Sequence, residues 1–142
     1  STRPIDSPTR AGIAVVGGAM GTTSAFHEGG DHVAVRTGAI AGELAAGGDL
    51  SAYNDRWKTA IGDELLRNVT FADLCREYDP DDWDQTFATV RTMLTANGPT
   101  LLTPSALKSG FAGAKVYYRY KKRKKQFNQN GYVQLTADEY VY

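Results

Sequence analysis

Val15-Val-Gly-Gly-Ala-Met-Gly21, Phe26-His-Glu-Gly-Gly30 and Ala34-Val-Arg-Thr-Gly38 follow one another in order within the first 38 residues. The apolar run Gly12-Ile-Ala-Val-Val16 reads as a short buried strand, and Gly17 to Gly21 as the glycine-rich turn that ends it. After Thr22-Thr-Ser-Ala25 the pair Gly29-Gly30 opens a helical pattern, with Val33, Ile40 and Leu44 along one side. Gly47-Gly48 closes that helix. Strand, turn, glycine pair and helix in this order set the reading of everything downstream.

Beyond Gly48 the pattern is helical. Asp49 is placed to cap a helix whose apolar residues Leu50, Tyr53, Trp57, Ile61 and Leu65 recur at three- and four-residue spacing. Thr70-Phe-Ala-Asp73 resembles a capping box, so this helix is expected to break near Asn68 and restart toward Leu74 and Tyr78. Asp79-Pro80 pairs an N-cap with proline at the first helical position. Trp83, Phe87, Val90 and Leu94 then form one stripe until Asn97-Gly98-Pro99. Thr103-Pro104 repeats the device, opening a helix through Leu107, Phe111, Ala114 and Tyr118 into a lysine cluster. Asn128 to Gly131 reads as a turn and Tyr132-Val-Gln-Leu135 as a short terminal strand. The fold class expected is mainly α with minor β, in a single domain over residues 1–142: strand, turn and helix over 1–48, a helical region with a basic end over 49–125, and a turn with a terminal strand over 126–142.

The 142 residues suffice for one core of ordinary size. No apolar run approaches the roughly 20 residues that span a bilayer, and the first ten residues lack the apolar core of a secretory signal. Absence of an initial Met fits a processed, trimmed or excised chain. Cys75 is the only cysteine, which excludes an internal disulfide and a thiolate-held iron–sulfur cluster built from this chain alone. A cytoplasmic location, with possible attachment to a membrane surface, is the expectation. The net charge of zero conceals a split, because residues 1–114 hold 9 Lys/Arg against 14 Asp/Glu while 115–142 hold 7 against 2.

The ordered glycine motifs resemble the second flavin-binding motif of the geranylgeranyl reductase and FixC-like flavoproteins, relatives of the electron-transfer-flavoprotein:quinone oxidoreductases. In that family a strand ends in a Gly-Asp-Ala-Ala-Gly-like turn and a glycine pair opens a helix carrying a later Ser-Gly or Thr-Gly, which Thr37-Gly38 supplies. The likeness is densest over residues 12–46 and extends weakly through Tyr53, Arg56, Trp57 and Gly62, with Gly131 to Leu135 resembling the end of archaeal members. It implies the helical C-terminal domain of a flavoprotein whose cofactor is FAD, reducing isoprenoid (geranylgeranyl) double bonds or passing electrons to a quinone. Gly17, Gly18, Gly21, Gly29 and Gly30 are then the cofactor-binding residues, because backbone laid against a flavin needs positions without bulky side chains. The helix start at Gly30 would aim N–H groups and a positive dipole end at an anionic reduced flavin.

Two departures limit this implication. Gly18 stands where the family has an aspartate for a ribityl hydroxyl. The Gly-x-Gly-x-x-Gly element that grips the ADP half is also missing, so the chain resembles a C-terminal part that needs a separate N-terminal FAD-binding part. Alone it is expected to bind FAD weakly or not at all and to be inactive. No catalytic residue is assigned. His27 and His32, flanking Glu28 and Asp31, suit no known zinc spacing, so no metal site is assigned, and His27 or Glu28 is instead expected to line a substrate or flavin edge.

Lys115, Arg119, Lys121, Lys122, Arg123, Lys124 and Lys125 are interleaved with tyrosines. Three readings stand for them: a solvated helix end, peripheral contact with an anionic membrane, and nucleic-acid binding. A non-enzymatic helical module docking through this segment is the alternative to a flavoprotein. Trp57, Trp83 and Phe87 are expected in the core, and Cys75 as a small buried hydrophobe with an unreactive thiol.

Overall fold

A computed structural model describes residues 3–97 and 111–130. The architecture is mainly helical with a minor β element. Strands β1 (Thr9–Arg10) and β2 (Ile13–Ala14) pair antiparallel, with Thr9 opposite Ala14 and Arg10 opposite Ile13. A 3₁₀ turn follows at Gly17–Met20, then helices α1 (Asp31–Ala46), α2 (Tyr53–Arg76), α3 (Pro80–Asn97) and α4 (Phe111–Asn130). Two compact units divide the chain, one of Ser1–Val69 together with Phe127–Tyr142 and the other of Thr70–Gln126. Among the described residues no helix is long and apolar enough to cross a membrane.

The strand expected to be buried from Gly12 to Val16 is instead the second arm of an exposed hairpin. Ala11 and Gly12 both have positive φ, 48° and 82°, as the two central residues of a tight type I′ connection require. That turn pairs Ile13 with Arg10 and leaves Ile13 66% exposed. Beyond Ile13 the half-buried Ala14, Val15 and Val16 pack against the core.

That core belongs to the first unit. Met20 from the turn, Val33 from α1, and Tyr53, Trp57, Ile61 and Leu65 from α2 are all essentially inaccessible, with Ile40, Ala41 and Leu44 packed against them. The expected stripes on α1 and α2 are therefore the two faces that meet. α1 begins and ends at the glycines expected of it, Gly30 and Gly47. Its solvent side carries Gly38 and Gly42, around which no atom lies within 4 Å of where a Cβ would be.

α2 departs from expectation at both ends. Asp49 caps a turn ahead of the helix, accepting from the Ser51 amide and hydroxyl at 2.8 Å each, and the helix begins at Tyr53. No break occurs near Asn68. Leu65, Leu66, Val69 and Leu74 are all buried along this stretch, and Thr70, expected as a cap, is wholly enclosed within a continuous helix. Burial around this stretch outweighs the local preference of Thr and Asp for a cap.

In the second unit α3 has the limits expected of it. The Asp79 carboxylate accepts from the Asp82 amide at 2.7 Å, a direct N-cap ahead of Pro80. Trp83 makes an edge contact with Tyr78 at 5.2 Å and stacks on Phe87 at 5.7 Å. Trp83 is half-buried, but Phe87 is 63% exposed and so lies outside the core assigned to it. Val116 and Tyr120 of α4 are buried, with Phe71 stacked on Tyr120 at 4.8 Å. α4 continues to Asn130, through residues expected to turn the chain. The helix start at Thr103-Pro104 and the terminal strand Tyr132–Leu135 lie outside the described residues.

Candidate functional site

The glycines singled out by the sequence do different things. Gly17 is buried at φ +58°, and a Cβ there would come within 2.8 Å of the Ala34 Cβ in the first turn of α1. Its amide donates to the Thr37 hydroxyl at 3.0 Å, its carbonyl accepts from the Thr22 hydroxyl at 2.8 Å, and Thr37 donates to the Val33 carbonyl at 2.8 Å. Thr22 and Thr37 are fully buried. Together they clamp the glycine turn onto α1.

Gly21 closes the 3₁₀ turn at φ +86°, and a Cβ there would overlap the Arg3 carbonyl. Its small size is required by the incoming N-terminal segment, which the Ile5 amide also ties down at the Met20 carbonyl, 2.8 Å away. Gly29 lies against His27, whose Nδ1 accepts from the Gly29 amide at 3.2 Å, in a loop closed by the Ser24 amide donating to the Gly29 carbonyl at 2.9 Å. Glu28 within that loop has φ 58°. His27 and Glu28 are exposed, and the His27 side chain folds back on its own loop.

Gly18 and Gly30 are different in kind. Neither has a left-handed φ, and a Cβ on either would lie 3.5 Å from the Thr23 Oγ1, an ordinary contact. The fold itself does not need glycine at these two positions. Gly18 and Ala19 are exposed, and Thr23 joins Gly18 to Gly30 at the start of α1. Gly17 thus packs on Ala34 and Thr37, Gly18 and Gly30 both face Thr23, Gly21 closes the turn against Arg3, and Gly29 belongs to the His27 loop.

At this point α1 presents its first N–H groups, which have no partner within the helix, and Gly30 has no side chain to cap them. Asp31 in the first turn already places a negative charge beside the positive helix end. The patch therefore suits a neutral polar group at van der Waals distance better than an added anion, which tempers the role expected for the dipole. Sequence reading gave Thr22 and Thr23 no role and took Thr37 only as part of the Thr-Gly motif, not as the partner of the Gly17 amide. Thr37 shares the α1 stripe with Val33 and Leu44, and a threonine at such a position is the signal that would have found it.

The Tyr53 hydroxyl donates to the Val15 carbonyl at 3.2 Å and lies 3.4 Å from the Met20 sulfur. Burial pushes its pKa above the usual phenol range, with Thr37 partly opposing, so it stays a proton donor beneath the turn. His32 Nε2 meets Glu64 at 2.5 Å, and its ring stacks on that of His27 at 6.4 Å. Among the described residues no group of three or more His, Cys, Asp and Glu is arranged to hold a metal.

The basic residues of α4 also divide. Arg119 donates to Asp82 at 2.7 Å, and that bond holds the Asp82 carboxyl below the usual aspartate range. Arg123 reaches Asp73 at 2.5 Å and also pairs with Glu77, while Lys115 lies 3.9 Å from Asp82. Lys121, Lys122 and Lys125 are exposed and Lys124 is half-buried. Cys75 is likewise half-buried, and burial raises its thiol pKa, which disfavours the reactive thiolate.

The chain is similar to a digeranylgeranylglycerophospholipid reductase. That protein, digeranylgeranylglycerophospholipid reductase 2 of Methanothermobacter thermautotrophicus, is 38% identical over 77 residues, covering 48% of this chain and 20% of the reductase. The chain thus spans about a fifth of the length of the curated relative it matches. No family model matches, and no solved structure matches significantly. The similarity supports a geranylgeranyl-reductase-like relationship, and with it a part of an oxidoreductase.

Proposed function

We propose that this chain is the part of an FAD-dependent isoprenoid reductase that forms one side of the flavin site, with the rest of the cofactor held by segments outside it. The observation that carries this reading is the convergence of Gly18 and Gly30 on Thr23, at positions where the fold leaves room for a side chain and has none. Similarity to a digeranylgeranylglycerophospholipid reductase supports a polyprenyl chain with double bonds to be saturated as the substrate class.

The residues fit such a group in a limited way. When bound, FAD supplies the hydride chemistry. Gly18, Ala19 and Gly30 would give it backbone at close range, with the Thr23 hydroxyl between them. Thr37 and Thr22 hold the turn in place, and Tyr53 supports the turn from below. Gly18 offers no side chain for a ribityl hydroxyl, a contact that would contribute about 1.5–3 kcal/mol if a carboxylate made it.

The test uses the full-length reductase. Gly18→Val and Gly30→Val, at positions where a Cβ makes only ordinary contact with Thr23, are expected to lower flavin content and the rate of isoprenoid reduction at least tenfold while the helical circular dichroism is retained. Gly21→Ala, whose new methyl group meets the Arg3 carbonyl, is expected to lower stability instead. Normal flavin content in both valine variants would sink the proposed contact.

A further inference from the structure

α4 contains seven cations and no carboxylate, and it sorts them by side. Val116, Arg119, Tyr120 and Arg123 share one face, where the tyrosine and valine are buried and the arginines are bound to Asp82, Asp73 and Glu77. At 100° per residue the opposite face carries Ala114, Tyr118, Lys121, Lys122 and Lys125. All five are exposed, and Tyr118 is 71% accessible.

We propose that this outward face, Tyr118 with Lys121, Lys122 and Lys125, docks the protein on an anionic lipid surface. Charge complementarity supplies the attraction, since the nearby carboxylates Asp73, Glu77 and Asp82 are engaged on the other side of the helix. The choice of cation favours lipid over nucleic acid. Base edges and phosphates are read best by the planar fork of arginine, and both arginines of this helix are turned inward. Lysines are compact charges on apolar stems, suited to a diffuse layer of headgroups, and an exposed tyrosine among them is suited to the interface between headgroup and hydrocarbon. The proposal stands apart from the flavin reading, because it concerns another unit of the chain and needs no cofactor.

Co-sedimentation of the 142-residue chain with vesicles tests it. Phosphatidylglycerol–phosphatidylcholine vesicles should bind the chain, with affinity falling as salt rises, and phosphatidylcholine alone should not. Lys121→Gln, Lys122→Gln and Lys125→Gln together should weaken binding on the order of 100-fold, about fivefold for each lysine near an anionic surface. Arg123→Gln removes the same charge as Lys122→Gln but should leave vesicle binding nearly unchanged while reducing thermal stability. Equal binding to both vesicle types, an unaltered triple variant that retains its helical circular dichroism, or salt-sensitive binding to an RNA oligonucleotide without vesicle binding would each overturn the proposal. Loss of vesicle binding leaves flavin retention in the full-length enzyme untouched, so the two readings fail separately.

Discussion

Replacing Thr37 by valine removes one oxygen from the interior of the first unit at almost constant volume. In the native chain that oxygen accepts the Gly17 amide at 3.0 Å and donates to the Val33 carbonyl at 2.8 Å, in complete burial. The Val33 carbonyl keeps its own helical partner in the variant, so its loss is small. The Gly17 amide has no such reserve, and an orphaned buried donor costs about 1–3 kcal/mol. At this chain length that corresponds to a melting temperature lower by roughly 3–10 °C. Fluorescence of Trp57, which is fully buried in the same core, reports the transition of this unit, provided Trp83 is replaced by phenylalanine in both proteins. Thr37→Ser keeps the hydroxyl and loses a methyl group, about 0.8 kcal/mol. Hydrogen exchange separates the two effects: the Gly17 amide should exchange faster in Thr37→Val and at its native rate in Thr37→Ser. Unchanged Gly17 protection in the valine variant would refute the clamp.

Asp79→Ala removes the N-cap of α3 and should cost about 1 kcal/mol, measured by urea denaturation, whereas Asp79→Asn should cost less because the amide oxygen can still accept. The Asp82 carboxyl titrates below its ordinary value in the folded chain, so its pairing with Arg119 stabilises the fold above that value and is lost as pH falls through the lower folded pKa. Acid titration followed by near-ultraviolet circular dichroism should therefore show wild type losing stability across that window and Asp82→Asn losing less.

Helix limits were legible where punctuation and burial agree. Asp79-Pro80 marks a start that no neighbour contradicts, and Gly30 and Gly47 bracket a stripe that meets α2. They diverged at Thr70, where a local capping pattern lies among buried residues and their burial prevails. The hairpin was hidden because Ala11, carrying a positive φ, is not a residue that advertises a type I′ turn. Phe87 continues the Trp83 stripe by spacing alone, yet spacing does not say whether a partner covers it. At the candidate site, the sequence named five glycines on one ground. Their separation into structural and open positions depends on which of Arg3, His27, Ala34 and Thr23 each one meets, and spacing in the sequence does not show that. The same limit hid the division of α4, because a run of basic residues does not show which of them face Asp73, Glu77 and Asp82.

Gly38 and Gly42 stand on the open side of α1, each lowering its intrinsic helicity by roughly 1 kcal/mol relative to alanine. α1 is therefore a helix by virtue of what lies under it, and its first turn exists as a surface only while Val33, Ile40 and Leu44 remain seated on α2. Completing the patch at Gly18 and Gly30 and folding the first unit are then one equilibrium rather than two. A ligand held there acts as a mass-action stabiliser of the whole unit, so occupancy can be followed as a rise in the Trp57 melting temperature with ligand concentration.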